Sequence, residues 1–218
     1  MKSTIERVHR TKGQARRSYN RLSRWYDLFT GSEKQFTDIG IHMLNVQANE
    51  SVLEIGCGTG HALIEFEKSV HDGIVIAMDI SEGMLQAARK RIRNKVREES
   101  VEFCQADGSC IPFPDQQFDA IFISFTLELF DTPELPKVLN ECFSILKPNG
   151  RVGIVSLAQK DTTAVRIYEW FHRVMPVLVD CRPIHLHEPL KEANYFVDRS
   201  TMQTMWGLPV EIVIARKR

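Results

Sequence analysis

Short runs dense in Val, Ile and Phe alternate along the chain with longer amphipathic runs, and no segment repeats. Strands separated by helix-length segments are typical of a parallel sheet whose strands are joined by crossover helices. The short runs predict five strands, at residues 51–55, 74–79, 101–105, 118–124 and 151–157. The segments between them are therefore predicted to be helices.

The helix after the second strand has the clearest pattern. Ser81 can cap its first turn, because a serine hydroxyl accepts a hydrogen bond from a backbone N–H that the helix leaves unpaired. Further helices are predicted at residues 133–146, 162–174 and 186–194. The apolar side of the helix after Ser81 recurs at helical spacing, at Met84, Leu85, Ala88, Ile92 and Val96.

The C-terminal part of the chain departs from this alternation. Two more strands are predicted at residues 196–204 and 210–216, and only the short segment WGLP separates them, so the two should be antiparallel. The whole pattern predicts an α/β fold: a seven-stranded, mostly parallel sheet with helices on both faces and an antiparallel C-terminal edge strand. The length suits one compact unit, residues 49–218, preceded by an N-terminal helical cap, residues 1–48.

The overall charge is balanced, but its distribution is not. Lys and Arg together number 28, as do Asp and Glu, so the chain lacks the positive charge typical of a nucleic-acid-binding protein. In the first 24 residues, however, eight Lys or Arg residues are opposed only by Glu6. This segment is either a solvated helix or an arm that contacts an anionic surface.

The five cysteines are widely spaced and form no C-x-x-C pair. Neither a disulfide framework nor a zinc site is expected, and no metal ligand set is predicted. No apolar leader begins the chain, and no apolar run approaches the ~18 residues that a membrane span requires. We therefore expect a soluble, cytoplasmic protein.

The stretch VLEIGCGTGHALIEF places Gly56, Gly58 and Gly60 between a predicted strand and a predicted helix. Glycine permits positive φ and lets a ligand approach the backbone, and open α/β sheets bind ligands at this carboxyl edge. A dinucleotide site would need the spacing G-x-G-x-x-G, but counting from Gly56 the third glycine is replaced by His61. The spacing therefore weakens a nicotinamide-cofactor interpretation.

The motif LEIGCGTG resembles the glycine-rich motif of class I S-adenosylmethionine-dependent methyltransferases, and further matches follow it. Asp79 closes the second strand in VIAMDIS, Asp107 follows the third strand in CQADGSCIPF, and LKPNG leads into the fifth strand. The segments RLSRWYDLFTG, DISEGMLQAARKR and IPFPDQQFDAIFISFTLELF are similar to the ubiquinone/menaquinone C-methyltransferase-like branch. The resemblance implies a Rossmann-like fold and S-adenosyl-L-methionine as the cofactor.

Carried over to this sequence, the resemblance implies a cofactor site along the strand ends. The glycines would admit the methionine part of the cofactor, while Glu54 would brace the loop or contact the amino group through water. Asp79 would accept hydrogen bonds from the ribose hydroxyls, since a carboxylate is an acceptor only. The implied cofactor-binding residues are Tyr26, Glu54, Gly56, Cys57, Gly58, Gly60, Asp79, Ile80, Met84, Ala106, Asp107, Gly108, Ser124 and Phe125.

Some of these residues also have simpler interpretations. Asp79 can cap the helix that follows it, Asp107 can form a D-G turn, and Met84 can fill the core. Tyr26 and its neighbour Trp25 can hold an N-terminal helix against the body.

The methyl acceptor decides whether a base is needed, because a quinol carbon attacks only after its oxygen loses a proton, whereas a neutral amine attacks directly. The candidate catalytic residues are His172, His185 and Tyr26, with His187, Asp180 and Tyr195 as further candidate bases.

The apolar run FISFTLELF favours an apolar acceptor pocket. The sequence therefore predicts methyl transfer to a small acceptor, either a quinone precursor or a lipid amine. The basic N-terminal segment suggests that this acceptor is met at an anionic membrane surface. The alternatives are an RNA or protein methyltransferase and a non-catalytic S-adenosylmethionine-binding protein, and the chain is a candidate homodimer.

Overall fold

A computed structural model of the protein describes residues 31–93, 95, 101–174 and 181–217. Two 3-10 turns, Leu127–Leu129 and Thr132–Glu134, follow the fourth strand. In chain order the other elements are α1 (Lys34–Leu44), β1 (Ser51–Ile55), α2 (His61–Ser69), β2 (Ile74–Asp79), α3 (Glu82–Arg93), β3 (Val101–Gln105), β4 (Phe118–Ser124), α4 (Leu135–Ile145), β5 (Leu146–Leu157), α5 (Thr163–Val174), α6 (His187–Glu192), β6 (Tyr195–Met205) and β7 (Leu208–Lys217).

These strands form one sheet in the order β3-β2-β1-β4-β5-β7-β6. Strands β1 to β5 are parallel, and β7 is antiparallel to both of its neighbours. The predicted α/β fold with a reversed C-terminal strand is thus confirmed. Strand β6 is the edge strand. A tight turn at Trp206 and Gly207 follows it and reverses the chain, so that β7 lies between β6 and β5. Both turn residues have positive φ, 51° and 84°, as two-residue hairpins of type I′ require.

The first four predicted strands match the structure residue for residue. β5 is longer than predicted because it begins at Leu146, where Leu146 pairs with Phe118 ahead of a register shift. The predicted helix at residues 133–146 accordingly ends at Ile145 and begins with a 3-10 turn.

The sheet separates two apolar cores, one on each face. Alternate residues of a strand point to opposite faces, so Phe122 packs with α1, α2 and α3 while Ile121 and Ile123 pack with α4 and α6. The predicted apolar side of α3 is confirmed, because Met84, Leu85, Ala88 and Ile92 are all buried, whereas Val96 lies outside the described residues.

Helix α1 packs directly on the sheet. The Oγ1 atom of Thr37 lies 2.8 Å from the Oγ atom of Ser124 at the end of β4. A methyl group on Gly40 would come within 2.6 Å of Val155 Cγ2, so glycine is needed for this close approach. The proposed division of the chain at residue 48 stays a prediction, since most of the first segment lies outside the described residues. No helix in the described ranges combines the length and the apolar composition needed to cross a membrane.

A buried arginine ties the C-terminus of α1 to the sheet. The Arg151 guanidinium donates to both carboxylate oxygens of Glu50, at 2.8 and 2.7 Å. It also donates to the backbone carbonyls of Leu44 and Asn45, at 2.7 and 2.9 Å. Burial by itself would raise the pKa of Glu50, but the Arg151 hydrogen bond and charge, with the Gln47 N–H, lower that pKa below its ordinary value.

We expect Arg151→Met to lower the free energy of unfolding by about 3 kcal/mol, because it leaves the Glu50 carboxylate without its partner in a largely buried position. Guanidinium denaturation measures this change. The lowered pKa means that the Glu50 contribution is complete above the pKa of the unfolded chain and is lost as the pH falls through the folded-state pKa. The acid decline in stability should therefore be shallower in Arg151→Met, and an equal decline in both proteins would contradict this account.

Candidate functional site

The loop between β1 and α2 reverses the chain through three glycines with positive φ. The φ angles of Gly56, Gly58 and Gly60 are 71°, 52° and 79°, a region that side chains with a Cβ disfavour. The N–H groups of Gly56 and Cys57 donate to the Met78 carbonyl, at 2.8 and 3.1 Å, which fixes the loop against the end of β2. The loop therefore sits at the carboxyl edge of the sheet, at the N-terminus of α2.

Two of these glycines also allow close packing. A Cβ on Gly56 would lie 2.3 Å from Thr126 Oγ1, in the segment that follows β4. A Cβ on Gly60 would lie 3.0 Å from the Ala88 Cβ of α3. The loop thus lies in the crevice between β1 and β4, where the strand order reverses and where open α/β sheets bind ligands.

Asp79 ends β2 beside this loop and holds both the loop and the next helix. Its Oδ2 atom accepts the Gly58 N–H at 3.0 Å, and its Oδ1 atom accepts the Ser81 N–H at 2.8 Å. Burial raises the pKa of Asp79, and these N–H groups oppose the increase. Asp79 thus braces the turn ahead of α3, whereas the cap of that helix is Ser81, whose Oγ atom accepts the Met84 N–H at 3.2 Å. Each carboxylate oxygen can still accept a second hydrogen bond, such as one from a ribose hydroxyl.

Glu54 is the second buried acid of the loop. Its Oε2 atom is buried and has no hydrogen-bond partner among the described residues. Burial raises the pKa of Glu54 well above its ordinary range, and the negative charge of Asp79 adds to the increase. A buried carboxyl oxygen without a partner is costly. Such an oxygen is explained by a ligand or water that donates a hydrogen bond, or by a cation that favours the charged form.

The end of β3 forms a tight turn. The Oδ1 atom of Asp107 accepts hydrogen bonds from both the N–H and the hydroxyl of Ser109, each at 2.9 Å. Gly108 is buried, and a Cβ there would lie 3.2 Å from the Phe130 ring. The D-G turn is thus present, at the same edge of the sheet as Asp79, because the Ala106 N–H donates to the Asp79 carbonyl at 3.2 Å.

The end of β4 carries a left-handed residue that is not glycine. Phe125 has a φ of 47° and is buried, and its N–H donates to the Val155 carbonyl at 2.8 Å. A bulky residue in this region is strained, and such strain is concentrated at functional sites. The turn directs the chain from Ser124 towards Thr126 and the glycine loop.

The structure places most of the implied cofactor residues at this edge. Cys57 is buried, and burial followed by the charges of Asp79 and Glu54 raises the pKa of its thiol well above the ordinary range, so it is not a reactive thiolate. The Ile80 carbonyl accepts a hydrogen bond from the Gln105 side chain at 3.1 Å. Met84 is 2% exposed, as expected for a residue that fills the core. Tyr26 lies outside the described residues.

The candidate bases are scattered, and each has a different environment. His185 is exposed and lines a cleft with Arg182 and Gln159. The His187 ring is 2.8 Å from the Glu211 carboxylate. The Tyr195 hydroxyl is buried and donates to the Leu139 carbonyl at 3.3 Å, and burial raises its pKa well above the ordinary range. The His172 side chain and Asp180 lie outside the described residues.

Sequence reasoning passed over a pair of glutamates near the end of β4. Glu128 is completely buried in the 3-10 turn after β4, and Glu33 immediately precedes α1. Burial raises the pKa of Glu33 to about 7 and that of Glu128 to about 8. The available signal was an acidic residue within the apolar run FTLELF.

The arrangement fits S-adenosylmethionine. The glycine loop presents backbone without side chains at the carboxyl edge of the sheet, the unpaired Glu54 oxygen suits a cationic or hydrogen-donating group, and Asp79 suits a vicinal diol. When bound, the cofactor supplies an electrophilic methyl group on a positively charged sulfur.

We expect Gly56→Ala to abolish S-adenosylmethionine binding, because the new Cβ would clash with Thr126 in a backbone conformation that alanine disfavours. Titration calorimetry measures the loss. Gly31→Ala is the matched control, since nothing lies within 4 Å of a Cβ at that position. Equal affinity in the two variants would contradict a cofactor site at Gly56.

We also expect cofactor binding to release a proton from Glu54. Burial raises the pKa of this carboxyl and so favours its protonated form in the free protein, whereas a cationic group bound beside it favours the carboxylate. The observed binding enthalpy should therefore vary with the ionisation enthalpy of the buffer, and Glu54→Gln should remove that dependence. A dependence that survives in Glu54→Gln would assign the proton to another group.

Comparison with known proteins agrees with this geometry. Residues 52–150 match a family model described as a methyltransferase domain. A demethylmenaquinone methyltransferase of Lactobacillus johnsonii is 33% identical over 135 residues, which are 61% of this chain and 54% of that protein. The ubiquinone/menaquinone biosynthesis C-methyltransferase UbiE of Salmonella arizonae is 36% identical over 127 residues, 58% of this chain and 49% of that protein. The chain thus spans about half the length of these curated relatives.

A solved structure extends the agreement beyond the matched segment. Magnesium protoporphyrin IX methyltransferase from Synechocystis, with bound SAH, has a TM-score of 0.75 at 18% identity. The match covers 95% of this chain and 99% of that one, and at this identity it establishes the fold alone. The strand order, the glycine loop, the acid at the end of β2 and the matched segment agree: residues 52–150 match a methyltransferase domain, and the chain resembles the class I S-adenosylmethionine-dependent methyltransferases.

Proposed function

We propose that the protein transfers the methyl group of S-adenosylmethionine to a small, apolar acceptor, and that this acceptor is a quinone precursor. The observation that carries the proposal is the glycine loop at the β1–β4 crevice. Its three glycines have positive φ, and it lies between the partly unpaired Glu54 and the end of β2 at Asp79.

The residues of the chain act mainly by positioning. The loop glycines let the cofactor lie against the backbone, Asp79 accepts hydrogen bonds from its ribose, and Glu54 balances its positive charge. Holding the methyl group in line with an acceptor is worth up to about 7–11 kcal/mol of the barrier. Burial of Leu127 and Phe125 beside the loop excludes water from the transfer.

The choice of a quinone precursor rests on the names of the curated relatives and on the apolar end of β4. Both relatives are named as methyltransferases of menaquinone or ubiquinone biosynthesis. A lipid amine is the second acceptor that an apolar pocket would suit. Methylation of RNA or protein has weaker support, because it rests on the basic segment at the N-terminus. A protein that binds S-adenosylmethionine without catalysis would show no turnover with any acceptor.

Membrane contact fits an apolar acceptor. Three exposed apolar side chains lie on α5 and on the β6–β7 turn: Ile167, Trp170 and Trp206 are 53%, 57% and 78% exposed. Tryptophan is favoured at the membrane interface, and the basic N-terminal segment would favour anionic lipid. We therefore propose that the protein is cytoplasmic and contacts the cytoplasmic face of a membrane. We propose as well that it forms a homodimer.

We expect micromolar binding of S-adenosylmethionine and no binding of NAD in titration calorimetry. Asp79→Asn should lower the affinity at least tenfold, because it replaces an acceptor oxygen with a donor NH₂ group. Asp161→Asn, on the exposed surface, is the control and should bind normally. Methyl transfer to a water-soluble 1,4-naphthohydroquinone, measured with radiolabelled cofactor, then tests the acceptor class. Binding of NAD in place of S-adenosylmethionine would overturn the proposal.

A further inference from the structure

Glu128 is a buried acid that the binding of the cofactor does not use. It follows the Phe125–Thr126 bend at the end of β4, and its side chain is completely buried. Its Oε1 atom accepts the Leu157 N–H, at the end of β5, with a distance of 2.8 Å. The carboxyl group is therefore held between the carboxyl ends of two neighbouring strands.

One oxygen of this carboxyl group remains unengaged. The Oε2 atom of Glu128 is buried and has no hydrogen-bond partner within the described ranges. The hydrogen bond from the backbone N–H fixes the orientation of the carboxyl group, while the hydrogen-bonding capacity of its second oxygen remains unused. A ligand hydroxyl that donates to Oε2 would complete its hydrogen bonding.

Glu128 also lies close to the glycine loop. Thr126, two residues earlier, is the residue that a Cβ on Gly56 would strike. On its other side, α1 reaches the end of β4 through the contact between Thr37 and Ser124. Glu128 therefore follows, by two residues, the segment on which the glycine loop packs, at the end of β4 that α1 also contacts.

Charged groups from two other segments influence Glu128. The negative charge of Glu33, at the start of α1, raises the pKa of Glu128, and the positive charge of Arg182 lowers it, although burial is the largest influence. Arg182 is itself buried and donates to Thr132 Oγ1 at 2.8 Å and to the Phe130 carbonyl, and Asp131 contributes a further negative charge to its surroundings. Arg182 also lines the cleft that contains His185.

We propose that Glu128 is the catalytic base that accepts the proton of a ring hydroxyl on the methyl acceptor. The proposal rests on the proposed function, because it concerns an acceptor whose hydroxyl must be deprotonated before its ring carbon can attack. It assigns the base role to a glutamate and leaves the histidines of the C-terminal part without that role.

The step balances without any further reactant. The hydroxyl proton of the ring passes to Glu128 Oε2, and the electron pair of the oxygen is delocalised to the adjacent ring carbon. That carbon forms a bond to the methyl group as the S–C bond breaks, and the bonding pair stays on sulfur, which becomes neutral. The ring carbon then loses its own proton to water, and the oxygen recovers its proton from Glu128. One proton is released per methyl group transferred.

The first test is the pH dependence of kcat for methylation of the naphthohydroquinone. In wild type, kcat should rise through a pKa at or below about 8, since Glu128 must be deprotonated and the bound sulfonium favours its charged form. Glu128→Gln should reduce the plateau about 100-fold, a typical loss for a general base, and should remove the rising limb. The new amide oxygen can still accept the Leu157 N–H, so Tm and S-adenosylhomocysteine affinity should not change.

Two further variants separate a base from a structural group. Glu141→Gln is the matched control, because the Glu141 carboxylate also accepts a backbone N–H, that of Ile111 at 3.0 Å, but lies on α4 away from this edge. It should keep the wild-type profile. Glu33→Gln removes the charge that raises the pKa of Glu128, so its rising limb should move to lower pH.

A binding measurement tests the same group without turnover. With S-adenosylhomocysteine present, wild type should bind 1-naphthol about tenfold more tightly as the pH rises through the pKa of Glu128, because a hydroxyl donates more strongly to a carboxylate than to a carboxylic acid. The measurement covers the range in which naphthol itself stays neutral. Binding of 1-methoxynaphthalene, which has no hydroxyl proton, should not depend on pH, and Glu128→Gln should remove the dependence for naphthol.

The outcomes separate the two proposals. Absence of methyl transfer by wild type, with a Glu128-dependent naphthol profile intact, would count against the proposed acceptor and leave Glu128 as the hydroxyl-binding acid. A wild-type pH profile for kcat or for naphthol binding in Glu128→Gln would overturn the assignment of Glu128. Failure of wild type to bind naphthol at all would overturn it as well.

Discussion

The close approach of the glycine loop to the segment after β4 is the constraint on which the site depends. Gly56 leaves no room for a side chain against Thr126, and its positive φ turns the chain out of β1 at this point. Because of this contact, the ends of β1, β2 and β4 converge on one crevice. The Asp79 carboxylate, bonded to both the Gly58 and Ser81 N–H groups, then holds the loop and α3 in place.

Buried acids distinguish this crevice from the rest of the sheet. Glu54, Asp79 and Glu128 are all buried near strand ends, and burial raises the pKa of each of them. The buried charge of Arg151, by contrast, is paired with Glu50 and two backbone carbonyls. The pairing at Arg151 ties α1 to the sheet, whereas one carboxyl oxygen each of Glu54 and Glu128 has no hydrogen-bond partner among the described residues.

Much of the fold could be predicted because each strand is a local pattern. The runs at β1 to β4 are apolar, short and bounded by turn residues, and their predicted limits match the structure. The limits of β5 could not be predicted in the same way, because Lys147, Pro148 and Asn149 read as a helix stop and a turn, yet the strand begins at Leu146 by pairing with β4. The position of β7 between β5 and β6 could not be predicted either, because it depends on pairing with β5, which is distant in the sequence.

The sequence by itself determined the order of elements, the glycine loop and the acid at the end of β2, since these depend on spacing within a few residues. Only the tertiary structure decided that the charges of Glu33 and Arg182 influence Glu128, because the three come from segments about 50 to 150 residues apart that are joined by packing on the sheet. Tertiary packing also decided that Tyr195 is buried in the core and that His187 pairs with Glu211. Burial and pairing determine whether an ionisable side chain can serve as a base, and neither is encoded in the neighbouring residues.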